Sequence, residues 1–175
     1  HLDRVKRVYG YLFKMRYSTI HIRTGEPDFT DIPDPDFHWA HSVYGDVKEL
    51  IPDDIPTPLG KRVTMTTYVD ANLYHDLITG RSVTGILHLI NGTPFAWYSK
   101  KQNTVETATC GSEFLAARVS VDQIIDNRTT IPYLGVPINP KSYFFGDNKT
   151  VVDSSITPHA KLHKRHTALS FHQVR

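Results

Sequence analysis

Asp70, Glu113 and Asp147 are the residues whose type and setting could carry chemistry. Tyr68-Val69-Asp70-Ala71 closes an alternating apolar run, Gly111-Ser112-Glu113-Phe114 opens a helical pattern, and Phe144-Phe145-Gly146-Asp147-Asn148 closes another apolar run. A strand-end Asp, a helix Glu and a second strand-end Asp, drawn from distant chain positions, can meet at one sheet edge. Carboxylates that converge in this way hold paired divalent cations about 3.5–4 Å apart, which serve the attacking and leaving oxygens of a phosphodiester. All the candidate ligands are hard oxygens, so the expected ions are two Mg²⁺, with Mn²⁺ able to replace them. Each acid taken singly reads more simply as a turn former or helix cap; the ordered set points to metal.

The elements that must position these acids follow from periodicity. Leu2, Val5, Val8, Tyr9, Leu12 and Met15 recur at helical spacing with Arg4, Lys6, Arg7 and Lys14 between them, predicting an amphipathic helix over 2–15. Residues 18–23 alternate like a short strand. Residues 24–60 contain six of the eleven prolines, which argues against regular elements, but also Phe29, Phe37, Trp39 and Tyr44, which argue against a bare linker. This stretch is expected to dock on the surface of the rest. From Lys61 the pattern predicts strands at 62–69, 83–90 and 95–99, with a turn at 76–81 and a hairpin turn at Asn91-Gly92. A helix is expected over 112–125, a short one at 130–134 interrupted by Pro132, a fourth strand at 141–146, and a last helix after Pro158. The sum is βββ-α-β-α, a layered fold of the α+β or α/β class. Phe13, Tyr17, Phe95, Trp97, Phe144 and Phe145 are expected in the core or at the joint with residues 1–60.

Composition sets the bounds. A chain of 175 residues with 39% hydrophobic and 22% charged residues fits one domain with a modest appendage. No apolar run approaches the roughly 20 residues of a membrane span. The charged start reads as no secretory leader, and the lack of an initiator Met suggests a piece of a longer chain. The single cysteine, Cys110, allows no internal disulfide and fits a reducing compartment; it reads as a small residue near a helix start rather than a nucleophile. Charge is segregated. Residues 1–23 hold six Lys/Arg against Asp3, residues 24–60 hold nine Asp/Glu against Lys48, and residues 61–175 hold 13 Lys/Arg against eight acids. A basic domain with a focal acidic spot suits a polyanionic substrate cut with metal ions, although an uneven solvated surface gives the same counts.

Over most of its length the chain resembles the ribonuclease H region of copia-type LTR retrotransposon polyproteins, with the tail of the reverse transcriptase ahead of it. The residues that carry the resemblance are Asp70-Ala71-Asn72, Gly80-Arg81-Ser82-Val83-Thr84-Gly85, Trp97-Tyr98-Ser99-Lys100-Lys101-Gln102, Ser112-Glu113-Phe114, Asp147-Asn148, and the closing Arg165-His166 with His172-Gln173-Val174-Arg175. Upstream, Val5-Lys6-Arg7-Val8 with Tyr11-Leu12 is similar to the helix that ends the reverse transcriptase. The resemblance implies an RNase H-like mixed five-stranded sheet, an antiparallel meander plus parallel strands, with flanking helices. It divides the chain into 1–60, a reverse-transcriptase tail with an acidic Pro-rich insert, and 61–175, the RNase H-like domain. It further implies cleavage of the RNA strand of an RNA–DNA hybrid, a reverse transcriptase domain of the same polyprotein as partner, no membrane association, and a place in the cytoplasm, in a virus-like particle, or in the nucleus.

Substrate contacts are expected from Lys100, Lys101, Asn148, Lys164, Arg165 and His166. Exposed turn lysines or a solvated basic face would look the same. His159, His163 and His166 recur at a spacing that can hold zinc, but no cysteine lies nearby to complete the set. The family's fourth acid falls at Ala168. Either a neighbour substitutes, His172 one helical turn on being the first candidate, or metal binding is weaker, or the domain is a catalytically impaired module that binds hybrid or serves as a scaffold.

Overall fold

The computed structural model describes residues 1–32, 49, 52–157 and 168–174, with Leu169 by its backbone only. The elements are α1 (Leu2–Lys14), β1 (Met65–Asp76), β2 (Arg81–Ile90), β3 (Thr93–Lys101), α2 (Thr109–Tyr133), β4 (Tyr143–Gly146), α3 (Lys149–Ile156) and α4 (Ala168–Val174). The four strands form one sheet in the order β3-β2-β1-β4, antiparallel except for the parallel β1–β4 pair. This is the mixed sheet with flanking helices that the resemblance implies. The fifth strand is not found among the described residues. The extended stretch 18–23 forms no ladder. There, the Arg23 N–H donates to Thr93 Oγ1 at 2.7 Å, so a side chain at the start of β3 takes the bond a strand partner would have supplied.

The hairpin between β2 and β3 is fixed by local chemistry. Asn91 and Gly92 both adopt positive φ, 49° and 76°, as a two-residue primed turn requires. β1 runs beyond its expected end: Asp70 pairs with Gly85, Ala71 with Thr84 and Asn72 with Val83, so Asp70 sits mid-strand rather than at a strand end. The extension is polar and exposed on one side, held by the ladder to β2 instead of by burial. A bulge between Asn72 and Asp76, with Tyr74 at φ 51°, ends the regular pairing.

Alternation places Val69, Ala71 and Ile86 on the face covered by α2, where they pack with Ala116. A second cluster joins Phe114 and Ala117 of α2 to Val151 of α3 and Phe171 of α4, and Phe144 bridges the two clusters. α2 is one 25-residue helix, not two: Pro132 lies in its last turn, where a missing N–H removes a single bond. α3 was not expected. It is short, buries only Val151, and is started by Asn148, whose Oδ1 accepts from the Val151 N–H at 3.2 Å.

The aromatic residues divide. Phe144 and Phe145 are half-buried, and Phe145 stacks on Tyr68 with ring centroids 5.2 Å apart. Phe13, Tyr17 and Trp97 are 68%, 82% and 72% exposed, contrary to the expected place in the core or at the joint with residues 1–60. Phe13 belongs to α1, which buries none of its residues, and Tyr17 follows it. Trp97 pairs with Leu87, on the sheet face opposite α2. Part of the 24–60 stretch does dock: Phe29 packs on Tyr143 and Phe145, Glu49 pairs with Arg128, and the Tyr133 hydroxyl donates to Asp54. Among the described residues no helix is long and apolar enough to cross a membrane.

Candidate metal centre

The three acids are brought together by three different elements. Asp70 stands in the middle of β1. The next strand over, β4, runs parallel with Gly146 beside Val69, so the residue after it, Asp147, comes level with Asp70. Glu113 is the fifth residue of α2, the helix packed across β1 and β2. One carboxylate oxygen from each of Asp70, Glu113 and Asp147 lies within 4.8 Å of the other two.

Their environments differ. Asp70 and Asp147 are exposed, while Glu113 is 6% exposed and backs onto an apolar recess formed by Val69, Ala117, Phe144 and Val151. Burial pushes the Glu113 carboxyl up to about 7, and the negative charges of Asp70 and Asp147 add to the rise; the Ala71 N–H, donating to the carboxylate, partly opposes it. Among the described residues no Lys or Arg pairs with any of the three. Three hard oxygens held together without a protein cation form a donor set that fits a divalent cation such as Mg²⁺ or Mn²⁺.

The other expected site residues fall in several places. Asn148 caps α3 and lines the recess beside Glu113. Lys100 is exposed near the end of β3. Lys101 is engaged with Asp76 at 2.5 Å; that contact, with bonds from Thr79 and the Ile78 N–H, holds the Asp76 carboxyl well below the usual carboxylate range. His172 is exposed and meets Phe171 edge-on, and it is not part of the carboxylate group. Ala168 is half-buried at the start of α4, which packs on α2. Lys164, Arg165, His166 and the remaining histidines of the spacing, His159 and His163, lie outside the described residues.

No protein-family model matches the chain. In sequence it is 27% identical, over 109 residues, to the retrovirus-related Pol polyprotein from transposon TNT 1-94 of Nicotiana tabacum. The match covers 62% of this chain but only 8% of that polyprotein. The resemblance to a retrotransposon polyprotein drawn from the motifs is thereby shown. Among solved structures, the chain is similar to the N-terminal RNase H domain of Rv2228c from Mycobacterium tuberculosis, solved as a fusion with maltose binding protein. The TM-score is 0.48 with 14% identity, over 64% of this chain and 71% of that one. It is also similar to RNase H1 from the halophilic archaeon Halobacterium salinarum NRC-1, with a TM-score of 0.47 and 12% identity over 64% and 74% of the two chains.

Proposed function

We propose that this chain is a ribonuclease H that cuts the RNA strand of an RNA–DNA hybrid during reverse transcription of a retrotransposon, using two Mg²⁺ ions. The observation that carries the reading is the convergence of Asp70, Glu113 and Asp147, with ligand oxygens within 4.8 Å of one another on β1, α2 and the end of β4. The sequence likeness to a retrotransposon Pol polyprotein supports the setting.

Asp70 and Asp147, open to solvent, face the side from which a phosphate would arrive; Glu113, buried behind them, fixes the depth of the site. Divalent ions held there would lower the pKa of an attacking water and offset charge at the phosphorus and the leaving oxygen. Glu113 must lose its proton to join the ligand set, which ties metal binding to pH near neutrality. Lys100 and Asn148 would contact the hybrid, with Lys164, Arg165 and His166 as further contacts. The hybrid would be read by shape and 2′-hydroxyls rather than by base sequence. Residues 1–60 would join the domain 61–175 to a reverse transcriptase domain of the same polyprotein. The reaction would then take place in a virus-like particle in the cytoplasm, or in the nucleus.

Ala168 favours a second reading, in which the domain binds hybrid or acts as a scaffold without cutting it, because a methyl group stands where the resembled family has an acid. Incubation with a labelled hybrid separates the two. Cleavage of the RNA strand in Mg²⁺, lost in EDTA and in Asp70→Asn, is expected for the nuclease. Metal-independent binding without cleavage is the outcome for the scaffold.

A further inference from the structure

Gln102 ends the Ser-Lys-Lys-Gln run that follows Trp97, and nothing in the cleavage chemistry above uses it. Its side chain is 5% exposed, although it sits just beyond the end of β3. Its backbone N–H donates to the Ser82 carbonyl at 2.8 Å, holding the loop against β2. Its amide nitrogen donates twice: to Thr84 Oγ1 at 3.0 Å and to the Ser112 carbonyl at 2.9 Å. The carbonyl can only accept, so the amide must turn its nitrogen inward.

Those two acceptors are placed with consequence. Ser112 immediately precedes Glu113 in α2. Thr84 is the cross-strand partner of Ala71, whose N–H is accepted by the Glu113 carboxylate, and Ala71 follows Asp70. Gln102 thus joins the residue before Glu113 to Thr84, the cross-strand neighbour of the Ala71 whose N–H holds the Glu113 carboxylate. Thr84 and Ser112 are 2% and 0% exposed, so water does not compete with these bonds.

We propose that Gln102 is a positioning residue for the metal centre, clamping the first turns of α2 to β2 so that the Glu113 carboxylate is held at the depth of Asp70 and Asp147. The proposal rests on the metal-site reading above. Hydrogen-bond partners behind a metal ligand set its orientation, and removing one commonly costs 10–100-fold in metal affinity or activity.

The test uses the full chain and Mn²⁺ alone, followed by calorimetry, with hybrid cleavage as a second measurement. Gln102→Met keeps the length and apolar body of the side chain and removes both donors. It is expected to weaken Mn²⁺ binding about tenfold and to lower kcat with KM little changed, while the metal-free melting temperature moves by only a few degrees. Thr84→Val, which removes only the hydroxyl, should weaken Mn²⁺ binding about threefold, and Thr84→Ser should restore it. Gln102→Met binding Mn²⁺ as tightly as the parent would overturn the proposal. If Gln102→Met does not fold, Thr84→Val binding as tightly as Thr84→Ser overturns it instead. Asp70→Asn separates this from the wider reading. Loss of Mn²⁺ binding in Asp70→Asn with no effect at Gln102 removes only the clamp, whereas a parent that binds no Mn²⁺ removes both.

Discussion

Gly85 is the cross-strand partner of Asp70, and a Cβ built on it would lie 3.8 Å from the Asp70 carbonyl oxygen, an ordinary contact. The fold tolerates a side chain here; the absence of one leaves the flank of the Asp70 carboxylate open. Directly opposed side chains stand about 4.5–5.5 Å apart at Cβ, so a branched residue at position 85 would crowd whatever approaches Asp70. Gly85→Val is expected to keep or slightly raise the melting temperature, because Val favours strands over Gly, and to lower hybrid cleavage about tenfold or more. Circular dichroism melts and a cleavage time course check the two halves; unchanged cleavage would mean the substrate arrives from another side.

The raised Glu113 carboxyl makes the metal-free protein sensitive to pH. Its folded value of about 7 lies above the ordinary carboxyl value of 4.5, so the native state binds the extra proton. The sign follows: this contribution is fully present below about pH 4.5 and is lost as pH rises through about 7. Melting of the EDTA-treated protein should therefore fall between pH 5 and pH 8, and Glu113→Gln should flatten that part of the profile. Metal affinity should run the other way, rising toward pH 7 as the proton leaves. A pH profile of Glu113→Gln that matches the parent would show that the pH sensitivity does not come from the buried Glu113 carboxyl.

Which features were legible in the sequence follows from how locally they are encoded. α1 and the Asn91-Gly92 turn were readable because a helical stripe and a positive-φ pair are set by neighbours in the chain. The full length of β1 was not: Asn72, His75 and Asp76 are polar, and the strand there is held by pairing with β2 rather than by burial. α3 is not legible in the sequence because eight residues with one buried side chain give no periodic signal, though Asn148 as its cap is a usable clue. The three acids were found by their order along the chain. The part played by Gln102 was not, since its bonds join residues 10 and 18 positions away and no spacing rule reports them.

Ala168 is the first described residue of α4. Ala168→Asp should cost at most about 0.7 kcal/mol in helix propensity and should increase both Mg²⁺-dependent cleavage and the metal-induced gain in melting temperature. If neither changes, position 168 does not reach the metals. His172→Ala then asks whether that side chain does, with a reduced metal-induced gain as the outcome in its favour.

Arg128 ties the end of α2 to its surroundings: it donates to the Asn139 carbonyl, to Ser142 Oγ and to both carboxylate oxygens of Glu49. Arg128→Ala should cost about 2–3 kcal/mol and speed proteolysis near Glu49, whose carboxylate loses this partner. Proteolysis at the parent rate would show that Glu49 is held in place without Arg128.

Whether Asp70, Glu113 and Asp147 together bind divalent cations is read from anomalous diffraction of crystals grown in saturating Mn²⁺ at pH 8. Anomalous peaks are expected between these three carboxylates, absent in Asp70→Asn crystals. Crystals of the parent protein with no peak among the three acids would contradict it.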